Sequence, residues 1–261
     1  MVKWTPYYRR IFQARPLRGI LCLLSLILPT EAWGTVAAMI RTDQQIVIAA
    51  DSMKVNSLRQ PIGSVCKIVS TTHLFSLPNG FVIGIGPRSY NAIAIAREVA
   101  NESKGIEEIV RRFIDTIRSP LAANLQSVHE TNPDLFQKVV LDEHPLGITF
   151  AGYEHGALVM STLDFLIKDH TATSFTLHID GFNCIPGKEC YSLVAPQEFQ
   201  ERFLREHPGW PKGDTIAAAR LFVQQAIDEH LPTVGPPLSL LVITPTGARW
   251  DAPGLCQDTQ K

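Results

Sequence analysis

Gly34-Thr-Val-Ala-Ala-Met-Ile-Arg41 leads through Thr42-Asp43-Gln44 into Gln45-Ile-Val-Ile-Ala-Ala-Asp51-Ser52. Apolar and β-branched residues fill both runs and three polar residues part them, which predicts a β-hairpin with strands over 35–41 and 45–50. Working outward, further β-rich runs follow at 64–70, 73–77 and 81–86, with Pro78-Asn79-Gly80 as a turn between the last two. The period then changes. Residues 89–103 read as one helix, and Ile106, Ile109, Val110, Phe113, Ile114 and Ile117 recur at helical spacing in the next, which Pro120 is expected to break or kink. Strand signals return at 147–152, 157–165, 174–179 and 189–194. Helices are expected over 196–207 and 214–231, the second capped by Asp214, and strands over 238–244 and 248–250 close around Pro245-Thr-Gly247.

Strands, two helices, strands, two helices, strands is not the strict alternation of a parallel α/β sheet. It predicts an α+β fold of two antiparallel sheets with segregated helices. No internal repeat or linker interrupts residues 35–261, which are expected to form one domain.

The 261 residues are 45% hydrophobic and 19% charged, a globular balance that excludes disorder, collagen and coiled coil. Net charge is −1, but Lys3, Arg9, Arg10, Arg15 and Arg18 crowd the first stretch without an acid among them. They run into Gly19-Ile-Leu-Cys-Leu-Leu-Ser-Leu-Ile-Leu28, about half of the roughly 20 apolar residues that a membrane-spanning helix needs. This is signal-peptide length, and Ala32-Trp33-Gly34 supplies the small-x-small pattern after which a signal peptidase cuts. Residues 1–34 are therefore expected to be a leader and Thr35 the mature start. A cut after Ala32 is nearly as good, and an uncleaved signal anchor is the plainer alternative, the one way in which a membrane would be a partner. A secreted or periplasmic location is expected. Loss of the leader leaves 19 basic against 24 acidic residues, a net −5 that argues against nucleic acid as a partner.

Cys22 leaves with the leader, and Cys66, Cys184, Cys190 and Cys256 remain, an even number with three pairings in an oxidising compartment. Cys184 and Cys190 flank the turn-rich Ile-Pro-Gly-Lys-Glu and are expected to pair, leaving Cys66 and Cys256 to each other by exclusion. A metal site is the weaker alternative, since no Cys-x-x-Cys or His-x-x-x-His spacing accompanies them. No cofactor is expected.

Thr35, Asp51 and Lys67 stand at two successive intervals of sixteen. Singly, each has an ordinary reading: a residue that starts a strand, a carboxylate that ends one, a polar residue within one. Together, with Thr35 at the expected cut, they resemble the proteasome-type N-terminal-nucleophile hydrolases, the proteasome β-subunits and their bacterial relatives. Gly34-Thr35 is similar to that family's processing junction, Ile48-Ala-Ala-Asp51-Ser52 to its strand-end Ala-Asp-Ser segment, and Cys66-Lys67-Ile68 to its Lys-Ile strand. Gly152-Tyr153 and Leu240-Leu-Val-Ile-Thr-Pro-Thr-Gly247 are similar to family strands as well. The resemblance implies a four-layer αββα sandwich, two antiparallel sheets flanked by helices, and a threonine-type peptidase or amidase.

The chemistry follows from the residue types. A threonine hydroxyl is a weak nucleophile unless a base stands beside it, and a chain-terminal threonine carries its own, an α-amine with a pKa of about 7.7–8.0. An internal Thr35 has only an amide nitrogen, so removal of residues 1–34 would switch the site on. A Lys67 ammonium nearby would favour deprotonation of hydroxyl and amine, and Asp51 would hold it in place. The resemblance implies an acyl-ester on Thr35, hydrolysed by water, with a backbone N–H of Gly84 or Gly86 as oxyanion donor. Those glycines read equally well as a tight turn before the next helix. Val65 is expected to line a pocket by strand alternation with Lys67.

The chain departs from the family where an organising Gly-Ser-Gly segment is replaced by Val194-Ala195-Pro196, where Met53 replaces a frequent arginine, and where His230-Leu-Pro-Thr233-Val-Gly235-Pro236 only weakly matches an Asp-x-x-Ser-Gly-Gly segment. A peptide or small amide is the expected substrate. Assembly with copies of itself is suggested by the resemblance alone, and a monomer is equally open. Two alternatives remain: a non-catalytic proteasome-like assembly subunit, and a membrane-anchored binding protein with Thr35 internal.

Overall fold

The computed structural model describes residues 35–55, 60–70, 74–79, 92–134, 136–137, 145–171, 174–184 and 186–256. Residues 1–34 with the expected cleavage junction, and the expected strand 81–86 with Gly84 and Gly86, lie outside the described residues. Ala37–Arg41 and Ile46–Ala50 form β1 and β2, buried at every position. Runs that are apolar throughout must bury both faces, and here the two faces enter different cores. Ala37, Met39, Ile46, Ile48 and Ala50 face one cluster, and Ala38, Ile40, Val47 and Ala49 the other. The connecting turn is one residue longer than expected, because Thr42 Oγ1 accepts from the Gln45 amide at 3.1 Å and Arg41 pairs with Ile46.

Antiparallel partners Cys190–Val194 (β10), Ser239–Thr244 (β11) and Gly247–Ala252 (β12) extend the hairpin into a five-stranded sheet, ordered β10-β1-β2-β11-β12. A second five-stranded antiparallel sheet holds Val69–Ser70 (β5), Leu74–Asn79 (β6), Leu146–Glu154 (β7), Ala157–Lys168 (β8) and Thr176–Cys184 (β9) in chain order. The expectation of two sheets needs a third: Met53–Val55 (β3) and Pro61–Ser64 (β4) pair separately. The four described helices are Ala92–Glu102 (α1), Ile106–Thr131 (α2), Gln197–Glu206 (α3) and Thr215–Asp228 (α4). Asp214 caps α4 as expected, accepting from the Ile216 and Ala217 amides. The fold is α+β with antiparallel sheets.

Three clusters make the core. Phe113, Ile117 and Leu125 of α2 pack with Ala96 of α1 on Ile148, Phe150 and Phe165 of the second sheet. Met39, Ile48 and Leu241 of the first sheet meet Ala151, Leu158 and Met160 of the second. Phe199 and Phe203 of α3 and Phe222 of α4 cover Ala38, Val47 and Val242 on the first sheet's other face. Arg41, 1% exposed, joins the sheets by donating from Nε to the Leu158 carbonyl at 3.0 Å.

The cysteines pair as expected, Cys184 with Cys190 and Cys66 with Cys256, at Cα separations of 6.3 and 4.9 Å. The first closes the crossing from β9 in one sheet to β10 in the other. Among the described residues no helix is long and apolar enough to cross a membrane.

Three expectations fail for physical reasons. The run 64–70 is not one strand: β4 pairs with β3, β5 pairs with β6, and residues 65–68 cross between the sheets without a ladder. Pro78 and Asn79, expected in a turn, still pair in β6, and Gly80 lies outside the described residues. Pro120 does not end its helix either, and α2 continues to Thr131. The proline sits on the exposed side, while Leu121, Leu125 and Val128 extend the buried stripe. Proline inside a helix costs about 3 kcal/mol, and three burials at about 1.5–3 kcal/mol each outweigh it. Replacing Pro120 by Ala restores the missing donor on a solvent face, so Pro120→Ala is expected to stabilise the fold by about 1–3 kcal/mol in urea denaturation; a loss of stability would mean that the packing needs the bend.

Candidate active site

The hairpin register builds the site. Ala37 lies opposite Ala50, so the next pair outward is Val36 and Asp51. Asp51 N–H donates to the Val36 carbonyl at 3.1 Å, but Val36 N–H donates to the Asp51 side chain, at 2.9 Å from Oδ1. A carboxylate has taken the place of a ladder carbonyl. The interval between Thr35 and Asp51 is thus the span of a hairpin, and Thr35 stands at its open end.

Lys67 Nζ donates to the same Oδ1 at 2.6 Å. The other oxygen, Oδ2, accepts from the Met53 amide at 3.1 Å and the Gly235 amide at 3.3 Å. Asp51 is fully buried and Lys67 is 7% exposed. Burial of a bare carboxylate is prohibitive, and four donors are what makes this one tolerable. Burial pushes the Lys67 ammonium below its ordinary 10.5, against the opposing pull of the Asp51 charge and hydrogen bond. Thr35 is 9% exposed. One peptide bond joins its carbonyl carbon to Val36 N, so by way of the 2.9 and 2.6 Å hydrogen bonds that carbon lies within about 7 Å of Lys67 Nζ.

The structure therefore brings Thr35, Asp51 and Lys67 together, while Gly84 and Gly86 fall outside the described residues. Lys67 is not in a strand, contrary to expectation. Its segment leaves β4 for β5 and cannot ladder with both sheets. The alternation that would have turned Val65 into a pocket wall is lost with it: Val65 is 39% exposed and donates its amide to the Ser52 carbonyl at 2.7 Å.

Two residues of the site were not singled out by sequence. Gly235 donates to Asp51 and accepts from the Ser52 amide at 3.1 Å. A side chain at Gly235 would run into Met53, and Thr233, two residues earlier, is held at φ +67°, a strained setting for a β-branched residue. Ser52 is buried, and its hydroxyl has no hydrogen-bond partner among the described residues. The only sequence signal for Gly235 was the weak match of the 230–236 segment. Val194-Ala195-Pro196 joins β10 to α3 and presents no hydroxyl.

Among the described residues no group of three His, Cys, Asp or Glu side chains stands where it could hold a metal ion. Comparison with protein-family models and with characterised proteins finds no match. The chemistry available is that of a hydroxyl residue beside a buried ion pair whose carboxylate takes four donors.

Lys67 leaves a mark on stability. Between its lowered folded value and 10.5 the unfolded chain binds a proton that the folded chain does not, so its contribution rises with pH through that window, by at most about 1.4 kcal/mol per pH unit. Below the window it is charged in both states and above it neutral in both. Wild type is expected to gain stability relative to Lys67→Met as pH climbs towards 10.5, in urea unfolding at stepped pH. Parallel curves would show a lysine that titrates alike in both states.

Proposed function

We propose that this chain is an exported, proteasome-type N-terminal-nucleophile hydrolase that cleaves peptide or small amide bonds with Thr35 once residues 1–34 are removed. The observation that carries the reading is the shared oxygen of Asp51, which takes the Val36 amide and the Lys67 ammonium together and so ties the expected nucleophile to a buried ion pair. Support for the four-layer αββα arrangement comes from the succession of the three cores: helices on the second sheet, sheet on sheet, then helices on the first. Two disulfides support an oxidising compartment.

In this mechanism the freed Thr35 amine takes the proton of its own hydroxyl as Oγ attacks the scissile carbonyl. The amine returns that proton to the leaving nitrogen, the C–N bond breaks, and an ester forms on Thr35. Water, deprotonated by the same amine, hydrolyses the ester and restores the hydroxyl. Lys67 holds positive charge beside the reacting group in a water-poor setting, where such charge acts most strongly. Asp51 keeps the ammonium there.

A second reading has its own observation. Without a hydroxyl at 194–196 the terminal amine has one fewer partner to orient it, which favours a non-catalytic assembly subunit with Asp51 and Lys67 as a structural ion pair.

Mass spectrometry of the mature N-terminus followed by incubation with a peptide epoxyketone or a β-lactone decides between them. An adduct on Thr35, absent in Thr35→Ala, is expected. Lys67→Ala is expected to abolish labelling without unfolding the chain, because Asp51 keeps three backbone amide donors, and Asp51→Asn to weaken it. Correctly processed protein that takes no adduct would establish the assembly reading instead.

A further inference from the structure

We propose that the Cys66–Cys256 disulfide is a positioning device for Lys67, so that the candidate site is competent only while that bond is closed. The proposal rests on the hydrolase reading for its catalytic consequence, but not for the placement of Lys67.

Three of the donors to Asp51 are backbone amides, at Val36, Met53 and Gly235. The first two belong to segments that enter or form strands. Lys67 differs from all three: it reaches Asp51 through a long flexible stem, from residues 65–68, which no strand pairing holds. What fastens that segment is the Val65 amide on the Ser52 carbonyl at 2.7 Å, the burial of Ile68, and the covalent link through Cys66. The far end of that link is buried. Cys256 is fully buried in a turn where its amide donates to the Pro253 carbonyl at 2.7 Å, just past β12. β12 pairs with β11 and β11 with β2, the strand that ends just before Asp51. The disulfide therefore ties the lysine segment to the same sheet that carries its carboxylate. Among the described residues, Asp51 is the charged group that meets Lys67.

Cys184–Cys190 provides the control. Cys190 pairs with Arg41, at the end of β1 opposite to Val36, so this second disulfide braces the sheets away from the carboxylate and makes no covalent link to the lysine segment.

The experiment uses the mature protein with 13Cε-labelled lysine, with the Lys67 resonance assigned by its loss in Lys67→Met. Wild type, Cys66→Ser/Cys256→Ser and Cys184→Ser/Cys190→Ser are compared by NMR titration and by the rate of Thr35 labelling with a β-lactone. In Cys66→Ser/Cys256→Ser the Lys67 titration is expected to move up towards the ordinary lysine value, and labelling to slow by roughly 100-fold, the scale of a displacement of about 1 Å. In Cys184→Ser/Cys190→Ser both are expected to stay as in wild type. If Cys66→Ser/Cys256→Ser does not fold, the wild-type disulfide is opened in place with a dithiol. The disulfide takes up two electrons and two protons to give two thiols, while the dithiol closes into its own ring disulfide. A Lys67 titration that is unchanged when the bond is open overturns the proposal. Wild type that takes no label overturns the hydrolase reading instead, and the titration still decides whether the disulfide places the lysine.

Discussion

One carboxylate organises this end of the molecule. Asp51 lies beyond the last pair of the central hairpin and gathers donors from four parts of the chain: the entry to β1, the start of β3, the lysine segment and the loop before β11. Each bond taken alone contributes modestly, but a buried charge that lost its partners would cost several kcal/mol. That asymmetry links the segments, since none can withdraw without exposing the others to an unsolvated charge. The strained backbone at Thr233 stands two residues before the Gly235 amide that the carboxylate takes.

Much of this was legible in sequence, for local reasons. The hairpin, the order of elements and the α4 cap depend on short-range patterns that tertiary packing only reinforces. The meeting of Thr35 with Asp51 was legible from spacing, because the first interval of sixteen is a hairpin closing on itself, whereas the pairing of Asp51 with Lys67 was legible only through the family resemblance. Where the reading went astray, a long-range demand won. Pro120 ends a helix only if nothing beyond it is worth burying, and Leu121, Leu125 and Val128 are buried. Residues 64–70 alternate like a strand yet must cross between sheets. Gly235 stands 184 residues from Asp51 and carries no side chain to announce it.

Both disulfides sit where the chain passes between layers or returns to one. Cys184–Cys190 closes the crossing from the second sheet to the first, and Cys66–Cys256 fastens the crossing from β4 to β5 against the end of β12. Turns within a sheet are held by hydrogen-bonded ladders, whereas crossings have none. The covalent links stand where the non-covalent ones run out.

The separation of 190 positions between Cys66 and Cys256 also imposes a timetable. A ribosome adding about 5–20 residues per second needs roughly 10–40 s to travel from one cysteine to the other. Throughout that interval the hydroxyl residue, the carboxylate and the lysine have all been synthesised, but the clasp that anchors the lysine segment has no counterpart. If the disulfide places the lysine as proposed, completion of this corner waits for Cys256, after the chain between the two cysteines has been made.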